Sequence, residues 1–175
     1  NAQIVNVFTQ SVETGDIAIE GGYIVGIGNY EGITEKDLGG AYVCPGFLDG
    51  HIHIESSMTS PGEFERAVVP HGTIAVITDP HEIANVAGTA GIRFMMQSAQ
   101  KLDLDVYFML PSCVPATDLD ESGAELLARD LEPFYADEKV LGLAEMMNAF
   151  GVTHGDKGCF EKLVQARSLK KAIDG

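Results

Sequence analysis

An α/β fold is what the sequence predicts, with a short all-β segment over residues 1–42 followed by about four strand–helix units over residues 43–175. Three observations carry this. Residues 1–42 hold short runs rich in β-branched side chains, with Gly21-Gly22 between two of them as a hairpin signal. From Val43 the rhythm changes to apolar strand, turn and helical periodicity, repeated, which is the pattern of parallel βαβ units. The strands of that second part are almost continuously apolar, as expected where both faces of a sheet are covered. Four such units in about 130 residues amount to half of an eight-unit (β/α) barrel, whose usual length is about 250 residues. The alternative is a complete small open α/β sheet.

Taken in order, Gln3–Val7, Asp16–Glu20 and Tyr23–Gly28 are the strands of the first segment. Val43, Phe47 and Leu48 open the first strand of the second part, with Pro45 and Gly46 at its start and Gly50 allowing close backbone approach. Ser60-Pro61-Gly62-Glu63 is a capping box with proline at the first helical position, ahead of Phe64, Ala67 and Val68. Thr73–Thr78 is the second strand, and Ile92, Met95, Met96, Ala99 and Leu102 give the next helix its core stripe. Asp105–Leu110 is the third strand, stopped by Pro111; Ser122–Glu125 then reads as another capping box, before a helix with Leu126, Leu127 and Leu131 inward. Val140–Glu145 is the fourth strand. The last helix is expected from Gly158 to Lys171, with Phe160, Leu163 and Val164 inward and Lys170 and Lys171 suiting its C-terminal dipole.

The chemistry concentrates in YVCPGFLDGHIHIESS, residues 42–57. A strand sends alternate side chains to opposite faces, so His51 and His53 point the same way and are placed to grip one metal ion at the strand's C-terminal end. Barrel enzymes put their sites at that end. Glu55, two residues beyond, is a candidate for positioning substrate or supporting a metal-bound histidine. Glu145 closes an apolar strand, where a carboxylate is costly to bury unless paired, protonated or metal-bound; a glutamate reaching solvent is the alternative. His81 and Glu82, just after the second strand, are candidates for orienting substrate or holding a further metal. His71, on the opposite rim, and His154, in a polar loop, are expected to be structural or solvated.

PGFLDGHIHIESSMTSP resembles the first barrel strand of the amidohydrolase superfamily. With TDPHEIANVAG and LAEMMN downstream, the chain resembles the adenine-deaminating branch of that superfamily over nearly all of its length. The resemblance implies a TIM-like metal-dependent hydrolase barrel, and it implies that residues 1–42 are part of a sandwich completed by distant C-terminal strands. It implies a binuclear divalent-metal centre of manganese or iron, with zinc also fitting His and carboxylate ligands, in which His51 and His53 are ligands and Glu145 bridges the two ions. It further implies hydrolysis of adenine to hypoxanthine and ammonia by a bridging water, with Glu145, Glu55, His81 and Glu82 as the catalytic candidates. Histidines from the fifth and sixth strands and an aspartate from the eighth, which the family also uses, are not expected within this chain. A chain opening on Asn1 rather than Met and holding half a barrel is expected to be a piece of a longer one. Another amidohydrolase, such as a cyclic-amide hydrolase or a deacetylase, and a non-catalytic half-barrel binding domain are the competing readings.

Composition narrows the partners. There are 26 acidic against 11 basic residues, for a formal charge of -15, and no Lys/Arg-rich tract, which disfavours nucleic acid and anionic membranes. The combination of H-x-E with P-C-x-x-C that nucleic-acid deaminases use is absent, there being no P-C-x-x-C, so free adenine is the better substrate match. Cys44, Cys113 and Cys159 are odd in number and widely spaced, which disfavours a disulfide framework and favours a reducing cytoplasm. Cys44 and Cys113 are expected to be buried small residues. No run of about 18 apolar residues and no signal-peptide pattern is present. Unpaired half-barrel edges would favour pairing with another copy, aggregation or completion by the missing half, and a homo-oligomer is expected.

Overall fold

The computed structural model describes residues 1–117 and 119–174, in two compact units, Asn1–Gly46 and Phe47–Gly175. In the first unit, β1 (Ala2–Asn6), β2 (Ser11–Glu20), β3 (Tyr23–Gly28) and β4 (Tyr42–Val43) form one sheet in the order β3-β2-β1-β4. β1 pairs antiparallel with β2 and parallel with β4. Gly21 and Gly22, at φ 58° and 84°, make the hairpin turn between β2 and β3, whose two central positions both need positive φ. Ala2 and Ile4 are buried, whereas Ile19, Tyr23, Ile24 and Val25 are exposed. Cys44 is exposed, not buried as expected: it lies past the end of β4, where no strand pairing encloses it.

In the second unit, β5 (Phe47–Ile52), β6 (Thr73–Thr78), β7 (Asp105–Leu110), β8 (Val140–Leu143) and β9 (Ala172–Ile173) run parallel in sequential order. This is the sheet of a half-barrel. Its helices are α1 (Pro61–Val68), α2 (His81–Ala99), α3 (Ala128–Leu131), α4 (Ala149–His154) and α5 (Lys157–Ser168). Val76, Val106, Phe108, Leu110, Val140 and Leu143 from the strands pack with Phe64, Ala84, Ile92, Met95, Leu131 and Ala166 from the helices. Ser60 caps α1 as its sequence indicates, accepting from the Glu63 N–H.

Four local expectations change. The helix expected from Ser122 is confined to α3, because the Ser122 hydroxyl is taken by the Asn85 carbonyl and side-chain oxygens at 3.0 Å each, and the Gly123 N–H by the Asn85 carbonyl at 2.7 Å. Leu126 and Leu131 are buried nonetheless. In α5 the buried residues are Cys159, Lys162 and Ala166, while Phe160 and Val164 are exposed. The cap explains this phase: the Asp156 side chain accepts from the Cys159 N–H at 2.8 Å, starting the helix so that the 159–162–166 stripe faces the sheet. α5 also ends earlier than expected. Lys171 lies beyond it and donates its Nζ to the Val140 carbonyl at 2.5 Å, and β9 then covers the far edge of β8. The open edges of this sheet are therefore β5 and β9. Finally, His154 closes the short helix α4, stacked on Phe150 at 3.9 Å, and does not lie in a loop.

Tyr135 is a packing feature with a measurable signature. It is 6% exposed, its hydroxyl has no hydrogen-bond partner, and burial pushes its pKa up to about 12. A raised phenol pKa favours the protonated folded state, so this contribution is present below pH 10 and is lost as pH rises toward 12, by about 2 kcal/mol. Tyr135→Phe is expected to stabilise the protein by about 1 kcal/mol at neutral pH, by removing an unpaired hydroxyl. Between parent and variant, the difference in unfolding midpoint should widen as pH is raised from 9 to 12 by these values; a constant difference would contradict the account.

Candidate metal centre

Four of the five strands of the half-barrel, β5, β6, β8 and β9, deliver chemistry at their C-terminal ends. His51 is the penultimate residue of β5 and His53 follows it; the alternation of the strand brings their Nε2 atoms to 3.2 Å from each other. Asp79 follows β6, with its N–H on the Ile52 carbonyl at 3.0 Å, so β5 and β6 remain zipped up to the site. Glu145 follows β8, and its Oε1 lies 3.4 Å from His53 Nε2 and 3.6 Å from His51 Nε2. Asp174 follows β9 and meets His51 Nδ1 at 2.8 Å.

The two histidines are oriented from behind. His51 Nδ1 faces the Asp174 carboxylate, and His53 Nδ1 faces the Asp79 backbone carbonyl at 2.8 Å. Both partners are pure acceptors, so each Nδ1 carries the hydrogen and, in the neutral ring, each Nε2 presents a lone pair. Two lone pairs facing one another beside a carboxylate repel unless a proton or a cation lies between them. This is the arrangement by which metal-binding histidines are usually held.

A third histidine joins through Asp79. His81, at the first position of α2, places Nδ1 at 2.8 Å from Asp79 Oδ2. Single donor atoms of His53, Asp79, His81 and Glu145 all lie within 4.8 Å of one another. Asp79 is 2% exposed, and its other oxygen, Oδ1, has no hydrogen-bond partner. A buried carboxylate oxygen left unpaired is costly, and a cation would satisfy it. The donor set of imidazole and carboxylate therefore fits a divalent metal.

The surrounding carboxylates also act on the imidazoles through their charge. The hydrogen bond that His51 donates to the Asp174 carboxylate raises the His51 pKa above the usual histidine value, against the opposing effect of burial and with help from the Glu145, Asp174 and Asp79 charges. The Asp79 hydrogen bond does the same for His81, again outweighing burial. Burial raises the Glu55 carboxyl, favouring its neutral form. Glu55 Oε1 accepts from the Ile83 N–H at 3.2 Å, near the start of α2, while Oε2 is buried without a partner. Glu82 accepts from the Ser56 hydroxyl at 2.5 Å.

Of the residues singled out from the sequence, His51, His53 and Glu145 converge on one point, and His81 lies beside them through Asp79. Glu55, Glu82 and also His51 stand outside the group of donors that converge within 4.8 Å, although His51 Nε2 lies 3.2 Å from His53 Nε2 and 3.6 Å from Glu145 Oε1. His71 is exposed ahead of β6, at the opposite end of the sheet. Asp79 and Asp174 were not anticipated. The signal for Asp79 was available, since it closes an apolar strand as Glu145 does; that for Asp174 was not, since the two-residue β9 has no periodicity to read.

Comparison with known proteins agrees with this geometry. Residues 42–175 match the model of the amidohydrolase family. The whole chain is 54% identical to the adenine deaminase of Bacillus pumilus and 54% identical to that of Geobacillus kaustophilus, covering 30% of each relative. It is 52% identical to the adenine deaminase of Bacillus subtilis, again over its full length and 30% of the relative. The chain thus spans less than a third of the length of these curated relatives. Among the described residues, no helix is long and apolar enough to cross a membrane.

Proposed function

The chain belongs to the amidohydrolase family, and from that premise we propose that it is the N-terminal part of an enzyme that hydrolyses adenine to hypoxanthine and ammonia. The observation that carries the proposal is the convergence of His51, His53 and Glu145 at the C-terminal end of a parallel half-barrel, in a chain half identical to proteins named adenine deaminase. His51, His53 and Glu145 would hold a divalent metal, manganese or iron by preference and zinc as an alternative, in a binuclear centre with Glu145 shared between the ions. A divalent cation there supplies acidity to a coordinated water and draws charge from the reacting ring.

The chain's own residues do the rest. Asp174 and the Asp79 carbonyl fix the two imidazoles with Nε2 inward. Asp79 orients His81 at the rim, where its ring stands 4.5 Å from that of His53 and is placed to orient the purine. Glu55, whose Oε1 accepts from the Ile83 N–H, takes the role of positioning the substrate side of the site through the start of α2, and Glu82 steadies the Ser56 turn beside it. Remaining ligands would come from the rest of the parent chain. In keeping with this reading the enzyme is cytoplasmic and a homo-oligomer, and neither nucleic acid nor membrane is its partner.

The test is adenine-dependent ammonia release by the complete parent protein, before and after removal of divalent cations and after their return. Activity that disappears on chelation and returns with manganese or iron is the expected result. Metal-independent release, or none from adenine while a cyclic amide or N-acetyl amino sugar is hydrolysed, would overturn the proposal. The metal should also raise the thermal midpoint, as any ligand bound only by the folded state does, by about 2.7 kcal/mol of stabilisation at a hundredfold excess over its dissociation constant.

A further inference from the structure

Helix α5 turns a lysine toward the sheet. Lys162 is 6% exposed, on the stripe it shares with Cys159 and Ala166, and among the described residues it is the one buried cation. An apolar side chain would serve packing at that position better, because a buried ammonium gives up its hydration. Burial lowers the Lys162 pKa, by more than the neighbouring Cys113 and Cys159 thiols and the Glu125 and Asp156 carboxylates raise it.

What the lysine does is donate to the Ser112 carbonyl at 2.7 Å. Ser112 is itself 2% exposed, and its hydroxyl donates to the carbonyl of Glu145. That bond lies where the sheet gives out. The Ala144 N–H, one residue beyond β8, still pairs at 2.8 Å with the carbonyl of Leu110, the last residue of β7, and after it the backbone turns, with the Met147 N–H folding back on the Glu145 carbonyl at 3.0 Å. The direction in which Glu145 leaves the strand is therefore set by Ser112 from the β7 side. Ser112, on a loop after Pro111, is in turn held from behind by Lys162.

We propose that Lys162 is a positioning residue for the metal centre: its ammonium fixes the Ser112 peptide, whose hydroxyl fixes the backbone from which the Glu145 carboxylate reaches His51 and His53. This rests on the reading of those three residues as ligands. The chain of contacts runs Lys162 Nζ, Ser112 carbonyl, Ser112 Oγ, Glu145 carbonyl, and it needs only that metal sites depend on the outer groups that orient their ligands. Loss of such groups typically weakens metal affinity 10–100-fold. Lys162 touches no ligand atom itself, and its effect is on where the carboxylate stands.

The test uses the complete parent protein and Mn(II) alone as the probe. Lys162→Met keeps the volume and removes the donor; Ser112→Ala cuts the same chain at its next link and leaves the lysine in place. Both variants are expected to fold, with circular dichroism like the parent's, to bind Mn(II) roughly tenfold more weakly or worse, and to share an altered electron paramagnetic resonance spectrum of the bound ion. The double variant should be no weaker than the weaker single one, since the two changes break one chain. A folded Lys162→Met protein with parental affinity and spectrum overturns the proposal, as do additive effects. If Lys162→Met fails to fold, Ser112→Ala decides alone, and parental binding there overturns it. Glu145→Gln run alongside separates the two readings: unchanged Mn(II) binding in that variant overturns the ligand assignment and the role of Lys162 with it, whereas weakened binding there and parental binding in the other two removes Lys162 only.

Discussion

Glu145→Gln in the complete enzyme is expected to lower adenine-dependent ammonia release by about a hundredfold or more, with little change in stability. A loss of that order is what removal of one preorganised charged group at a reacting centre commonly produces. The substitution keeps shape and removes the negative charge. Oε1 is the atom that faces both imidazoles, at 3.4 and 3.6 Å, so an amide nitrogen or a neutral oxygen in its place leaves two Nε2 lone pairs without the anion that helps them hold a cation. The side chain is a third exposed, so the fold does not depend on its being charged. Parent and variant should therefore melt alike without metal and diverge when manganese is added. A variant rate within tenfold of the parent's would mean that Glu145 is a bystander reaching solvent, the alternative that the sequence leaves open.

The contrast between Glu145 and Asp79 shows where the sequence is legible. β6 and β7 were readable to the residue because six apolar or β-branched positions in a row in β6, and five apolar ones after Asp105 in β7, ended by Asp79 and Pro111, leave little choice of register. Glu145 and the paired histidines were readable because their position on a strand decides their direction. Asp79 obeys the same logic, but the neighbouring His81 and Glu82 draw the eye to side chains of more familiar chemistry. The Ser122–Glu125 segment misled for a different reason: its capping hydroxyl is claimed by Asn85 on another helix, and tertiary hydrogen bonds outweigh a local propensity of a few tenths of a kcal/mol per residue. In α5 the expectation that Phe160 and Val164 face inward failed on phase: the Asp156 cap turns Cys159, Lys162 and Ala166 toward the sheet instead. A strand of two residues such as β9 cannot announce itself, and with it the Asp174 support of His51 stayed hidden.

Asp79→Asn is expected to move stability in opposite directions with and without metal. Three groups of Asp79 are already committed: its N–H to the Ile52 carbonyl at 3.0 Å, its carbonyl to His53 Nδ1 at 2.8 Å, and Oδ2 to His81 Nδ1 at 2.8 Å. Only Oδ1 is left, buried and without a hydrogen-bond partner. If its role is to face a cation among His53, His81 and Glu145, the carboxylate is destabilising until that cation binds. Asparagine keeps the backbone contacts and can still accept from His81, while removing a buried charge of which one oxygen is unpaired. In chelator, the variant should be as stable as the parent or more stable by about 1 kcal/mol, relief of the unpaired charged oxygen outweighing the weaker bond left to His81. With manganese the order reverses. The amide now presents N–H donors toward the point where a cation would stand, and most of the metal-dependent stabilisation, about 2.7 kcal/mol at a hundredfold excess in the parent, should be lost. Thermal melts of both proteins in chelator and in manganese read all four states. Should the variant be less stable in chelator and gain as much from manganese as the parent does, Asp79 acts only as the anchor of His81 and His53, and the orphaned oxygen has no part in holding the metal.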